Sequence, residues 1–145
     1  MDSQKLHLHY VNIGEIGDWG FPTSRNNMST WLTYSETIWK HGRTADLVLV
    51  DGRFRLACAL QALYASNFPL DVSFANANQT TPINPRDITI MMHDFANRNH
   101  YHKALDYMDV IYCIDTLTVL KPKSTINLDR LRHDILHFRI DPSRN

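Results

Sequence analysis

Two short apolar runs constrain this chain more than any other feature. Residues 46–50 (DLVLV) and 88–92 (ITIMM) lack polar alternation, the pattern of strands covered on both faces rather than of a half-exposed sheet. Between them Leu56, Leu60 and Leu63 fall at helical spacing, with Ala57, Ala59 and Ala62 beside them, and the pattern stops around Ser66-Asn67. A polar connection containing Pro82 and Pro85 leads to the second run. Strand, helix, strand is a βαβ unit, which predicts parallel strands joined by a right-handed crossover and an α/β class.

The flanking segments fill in this frame. Leu6, Leu8 and Tyr10 alternate with His7 and His9 before Val11 and Ile13, which predicts an N-terminal strand ending at Gly14. After a Gly- and Pro-containing loop, Trp31, Tyr34, Ile38 and Trp39 predict a helix capped by Ser29 and stopped at Gly42. Tyr101, Leu105 and Met108 predict another helix, and VIYCI and TLTVL, separated by Asp115-Thr116, predict an antiparallel hairpin. Leu128, Leu131, Ile135 and Phe138 mark a final amphipathic helix capped by Asn127 and ended by Asp141-Pro142. With 145 residues, the expectation is one three-layer α/β domain with a mostly parallel sheet and an antiparallel terminal hairpin.

Charge removes several functions. Fifteen Lys and Arg balance fifteen Asp and Glu, leaving no global field to attract nucleic acid or an anionic membrane surface. Neither a basic leader with an apolar stretch nor a run approaching the ~20 residues of a spanning helix is present, so a soluble, cytoplasmic protein is expected. Cys58 and Cys113 fall within a predicted helix and strand, as buried free thiols rather than a disulfide or zinc framework.

Ligands of an open parallel sheet bind beyond the carboxyl ends of its strands, and both apolar runs carry an acid there. These are Asp51 in VDGRFR and Asp94 in MMHDFANR. Two converging carboxylates can hold a hard divalent cation, position a hydroxyl or act as a base; alternatively, each caps the helix after it. Arg53 and Arg55 follow the first acid, while His93, Asn97, Arg98, Tyr101 and His102 surround the second. The arginines suit bidentate binding of a carboxylate or phosphate, or internal ion pairs with the acids.

Other motifs carry less. His133-Asp134-Ile135-Leu136-His137 spaces two imidazoles as a zinc helix does, although Leu131, Ile135 and Phe138 need the same helix for packing. His7/His9 and His100/His102 are weaker versions of that idea. The loop GEIGDWG has glycines spaced G-x-x-G-x-x-G, unlike a dinucleotide fingerprint. Trp19, Trp31 and Trp39 offer a stacking surface or, more simply, core and interface packing.

Taken in order, HYVNIG, DWG, DLVLVDGRFR, HDF and NRNHYH resemble the carboxyl-terminal portion of class I, Rossmann-like S-adenosylmethionine-dependent methyltransferases, within a poorly characterised VDGRFR-containing group. The resemblance runs from about His7 to Asp141-Pro142-Ser143-Arg144. It implies methyl transfer from S-adenosylmethionine to a hydroxyl of a sugar or small molecule. Asp51 and Asp94 match positions where metal-dependent O-methyltransferases hold a divalent cation such as magnesium, with His93 as a nearby base. Arg53, Arg55, Arg98, Tyr101 and His102 then serve the acceptor. The family's first strand with its cofactor loop, and its second strand, have no counterpart here, so residues 1–145 form one methyltransferase-like domain incomplete on the N-terminal side. Strand 46–50 becomes an exposed edge or pairs with the N-terminal segment, and a homo-oligomer or complementing partner is expected to cover it. Two rivals stand beside this reading: a non-catalytic interaction module or degenerate enzyme fragment, and a zinc hydrolase built on His133 and His137.

Overall fold

The structure, a computed structural model, describes residues 6–40, 42, 44–68 and 84–142. Pro82, Ser143 and Arg144 lie outside the described residues, as do residues 1–5. The βαβ unit forms as its periodicity predicts. Strands β1 (Leu47–Val50) and β2 (Thr89–His93) pair in parallel, from Leu47 opposite Thr89 to Val50 opposite Met92. Helix α2, which follows α1 (Met28–Tyr34) in the chain, covers Arg55–Ala65 between them. It ends at Ser66, whose Oγ donates to the Leu63 carbonyl at 2.9 Å, a local bond that competes with further helix.

The hairpin forms too. Strands β3 (Met108–Ile114) and β4 (Leu117–Pro122) are joined through Asp115-Thr116, with Asp115 left-handed at φ 49°. β4 inserts between β2 and β3, antiparallel to both, giving the order β1-β2-β4-β3. Three of the four strands therefore share one direction, and β1 is an edge among the described strands. The predicted helix before the hairpin is a 3-10 helix, Asn99–Asp106; Met108, placed on it by periodicity, instead opens β3. Helix α3 (Leu128–Phe138) begins as predicted, the Arg130 N–H donating to Asn127 Oδ1 at 2.9 Å.

Coverage of the sheet departs from the prediction. Val50, Ile90, Met92 and Leu120 form the inner face and pack with Leu60 and Leu63 of α2 and Leu131 and Ile135 of α3. On the opposite face Leu47 and Leu49 are more than half exposed. Among the described residues the sheet is thus covered by helices on one face, where the unalternating DLVLV predicts two covered faces and three layers. An apolar run is ambiguous in this way because it records greasiness on both sides of a strand but not what lies against them.

The N-terminal prediction also changes. Residues 6–13 form no strand, and Leu6, Leu8 and Tyr10 are almost fully exposed, because no neighbouring strand among the described residues pairs with them. The segment is pinned instead by Trp31, whose Nε1 donates to the Ile13 carbonyl at 2.8 Å. Helix α1 spans Met28–Tyr34, so Ser29 lies inside it rather than capping it, and a separate 3-10 turn, Thr37–Trp39, follows. Gly42, at φ 64°, bonds back to Trp39. Cys58 is a free thiol pushed up to about 12 by burial, but Cys113 is exposed because β3 is the other edge strand.

One buried polar network ties α3 to the 3-10 helix Asn99–Asp106 and the Tyr107 that ends it. The Tyr107 hydroxyl donates to Asp134 Oδ2 at 2.5 Å, and Lys103 Nζ stands 3.3 Å from the same oxygen. Burial pushes the Asp134 carboxyl up, but the bonds from Tyr107 and Lys103 outweigh it and hold the carboxyl below its ordinary value. A depressed carboxyl stabilises the fold above its unfolded pKa and ceases to do so as pH falls through its folded one. Tyr107→Phe is therefore expected to cost about 1–3 kcal/mol at pH 7 and less at pH 3, measured by urea unfolding.

Candidate functional site

A cleft of about 1010 Å³ opens at the carboxyl ends of β1 and β2, with residues of the 10–20 segment forming its other wall. Its charged floor is set by two left-handed residues. After β1 the chain passes through Asp51, Gly52 and Arg53 to Phe54 at φ 51°, whose ring packs against Trp31 and Tyr34 at centroid distances of 5.5 and 5.3 Å. That bend delivers Arg55, the first residue of α2, beneath both strand ends. After β2, Asp94 adopts φ 58°, a conformation that Asp tolerates better than most residues.

Arg55 is the centre of the floor. It is 7% exposed, and its guanidinium reaches four acceptors. Nε donates to the Gly52 carbonyl at 3.0 Å; Nη1 donates to the His93 carbonyl at 3.0 Å and to Asp94 Oδ2 at 2.7 Å; Nη2 lies 3.3 Å from Asp51 Oδ1. Arg98 Nη2 adds a bond to Asp94 Oδ2 at 3.0 Å. The bond from Arg55 holds the Asp94 carboxyl below the usual range against the opposing effect of burial, with the charges of Arg55, Arg98 and His93 adding to it. Neither acid caps a helix: α2 begins without a side-chain cap, and so does the 3-10 helix after Asp94.

His93 completes the rim. Its Nδ1 stands 3.4 Å from Asp51 Oδ1 and 3.3 Å from Asp94 Oδ1, while Nε2 is 2.9 Å from the Thr116 hydroxyl in the hairpin turn. The imidazole is hydrogen-bonded through Nε2 alone, because Nδ1, though near both carboxylates, is buried without a hydrogen-bond partner; 41% of the side chain remains exposed. An imidazole nitrogen that is hydrogen-bonded to a hydroxyl, as Nε2 is here, can exchange a proton with it.

The opposite wall is apolar and aromatic, built from Tyr10, Val11, Ile13, Ile16, Trp19 and Tyr34. Trp19 sits in a loop closed by Gly17 N–H to the Phe21 carbonyl at 2.8 Å and Thr23 N–H to the Glu15 carbonyl at 2.9 Å. Gly14 makes the approach to this loop possible: it has φ 94°, and a Cβ there would meet Asn27 Cβ at 3.0 Å.

Of the residues singled out from sequence, Asp51, Arg53, Arg55, His93, Asp94 and Arg98 all line this cleft. Tyr101 and His102 do not. Tyr101 is buried, with Arg98 over its ring at 6.0 Å, and His102 Nε2 lies 3.2 Å from the Phe95 carbonyl, so both serve the packing of the 3-10 helix. Of the three tryptophans, Trp31 and Trp39 are core and only Trp19 reaches the cleft. The zinc reading of HDILH loses its basis: His133 and His137 are exposed, while Asp134, needed as a base, turns inward to Tyr107 and Lys103.

The donor set does not fit a two-carboxylate metal centre either. Arg55 holds the place between Asp51 and Asp94, contacting one oxygen of each, and its guanidinium supplies the positive charge that a divalent cation would bring. Among the described residues no group of three or more His, Cys, Asp or Glu side chains is arranged to hold a metal ion. No helix among them is long and apolar enough to cross a membrane.

No protein-family model and no curated protein matches the chain. Among solved structures, it is similar to the crystal structure of a methyltransferase-like protein from Silicibacter pomeroyi, at 25% identity and a TM-score of 0.66. The likeness covers 92% of this chain and 61% of that one, so this chain spans somewhat under two thirds of its neighbour. The fold is methyltransferase-like, an open mixed α/β sheet with its cleft at the ends of the parallel strands.

Proposed function

We propose that the cleft is the acceptor end of an S-adenosylmethionine-dependent methyltransferase site acting on a hydroxyl of a sugar or other small molecule. The observation that carries this reading is His93, bonded to Thr116 beside Asp51 and Asp94 on the rim of a large cleft in a methyltransferase-like fold. At about 1010 Å³ the cleft lies at the top of the roughly 300–1,000 Å³ of ordinary ligand pockets, room enough for a cofactor-sized molecule. Its chemistry fits the cofactor. Trp19 and Tyr10 offer ring faces to an adenine or a sulfonium, and Asp51, half-exposed, can accept bonds from ribose hydroxyls or an ammonium group.

The cofactor, when bound, supplies an electrophilic methyl group. This chain would supply the rest of the site: arginines at the rim would orient an acceptor, and His93 Nε2, with the acceptor hydroxyl in place of that of Thr116, would take the hydroxyl proton as the methyl group leaves sulfur for oxygen and S-adenosylhomocysteine departs. Metal is not required for this arrangement, because Arg55 already balances the two acids.

Calorimetric titration of the full chain with S-adenosylhomocysteine tests the reading. Saturable micromolar binding that weakens about tenfold in Asp51→Asn is expected, about 1.4 kcal/mol for a charged hydrogen bond. Absence of binding by folded protein would overturn it and favour the interaction-module rival.

A further inference from the structure

The outer face of the sheet is apolar across all four strands. Residues directly opposite one another across a ladder share a face, so the register puts Leu47, Leu49, Met91, Val119, Tyr112 and Ile114 together there. Leu47, Leu49, Tyr112 and Ile114 are between 53% and 60% exposed, and Ile111 at the β3 bulge is 61% exposed. No charged side chain interrupts the centre of this field. Its polar groups stand at the two ends: at one, Asp109 lies opposite Lys121, Lys121 pairs with Asp87 and Arg86 pairs with Asp46, and at the other His93 stands beside Asp51.

We propose that this face is the contact surface of a homodimer in which two copies pack their sheets face to face. The area favours a second copy. The four exposed side chains that the register places on this face present on the order of 450 Å² per copy, within the roughly 300–600 Å² of the largest patch on a typical monomer. With Met91, Leu117 and Val119 beneath, that supplies more than half of the ~800 Å² that each partner contributes to a standard interface. A two-fold contact lays the same flat patch on itself, the geometry in which two pleated sheets pack ~10 Å apart. Charge agrees: with 15 basic and 15 acidic residues, two copies do not repel, and the ion pairs at one end form a polar rim around an apolar centre.

The surface also touches the candidate site. His93 lies opposite Leu117 on this same face, two residue pairs beyond Met91 and Val119. A second copy seated here would stand beside the rim of the cleft. The proposal does not depend on methyl transfer, since it rests on the sheet alone.

Sedimentation velocity of the full chain tests it. A species of about twice 16.8 kDa is expected at micromolar concentration. Leu49→Lys with Tyr112→Lys is expected to raise the dimer dissociation constant at least about 100-fold with an unchanged far-UV circular dichroism spectrum. If the lysine pair fails to fold, Leu49→Thr with Tyr112→Thr keeps β-branched residues on the strands and is read in the same way. A wild-type chain that stays monomeric up to about 100 μM, or a dimer indifferent to both pairs of substitutions, would overturn the proposal.

Discussion

Replacing Arg55 with methionine is expected to remove about 3–5 kcal/mol of stability at neutral pH, because two carboxylates lose the buried cation they share. The loss should exceed that of a surface ion pair, since Arg55 is almost fully buried and its fork also satisfies the Gly52 and His93 carbonyls. Arg55→Lys should recover only part of it, as an ammonium cannot reproduce a planar fork directed at four acceptors. The pH dependence distinguishes this account from simple loss of packing. Asp94 is depressed in the wild type chiefly by its bond from Arg55, so its contribution is present above the unfolded pKa and fades as pH falls through the folded one. Without Arg55 the depression is relieved, so the variant's deficit should be largest near pH 7 and shrink below about pH 4. Urea unfolding at both pH values measures it. A deficit that is equal at both would mean that Arg55 acts through its alkyl chain alone.

The second large effect concerns chemistry. His93→Gln is expected to lower methyl transfer from labelled S-adenosylmethionine to a small hydroxyl acceptor by about 10²–10⁴-fold, the usual worth of a positioned base. S-adenosylhomocysteine affinity should stay within about twofold, because the substitution removes no group proposed to hold the cofactor. Thr116→Val, which deletes the hydroxyl beside Nε2, should reduce turnover by less than His93→Gln does, about tenfold, through loss of ring orientation. Equal losses of turnover and of ligand affinity in His93→Gln would mean that the imidazole shapes the cleft rather than moving a proton.

The charged half of this site was legible in the sequence because strand ends announce themselves. An apolar run stopped by Asp-Gly or by His-Asp places those side chains at the carboxyl end of a strand, and parallel pairing then brings Asp51 and Asp94 to one rim. What the run could not convey was which partner the acids would meet. Helix capping, cation binding and ion pairing all suit a carboxylate, and the choice fell to Arg55 through the left-handed turn at Phe54, a conformation that a Phe gives no reason to expect. The aromatic wall was harder still. Residues 6–13 alternate as a strand does, yet alternation becomes a strand only where a neighbour supplies hydrogen bonds, and the segment instead lies across the cleft with Tyr10 and Val11 in its lining. GEIGDWG gave a partial signal, since closely spaced glycines around a tryptophan mark a turn that presents the ring. Tyr101 and His102 misled for the opposite reason: nearness in sequence to Asp94 placed them at the site, whereas the 3-10 helix turns them into the packing behind it.

The claim that this cleft is a methyltransferase acceptor site with its cofactor alongside is tested most directly by mapping S-adenosylhomocysteine onto the ¹⁵N-labelled full chain by amide chemical shifts. The account predicts saturable shifts concentrated at Gly14, Trp19 and Gly20 on one wall and at Asp51, Gly52, His93 and Asp94 on the other. Shifts confined to the outer sheet face around Leu49 and Tyr112, or none at all in a protein with a dispersed folded spectrum, would contradict it.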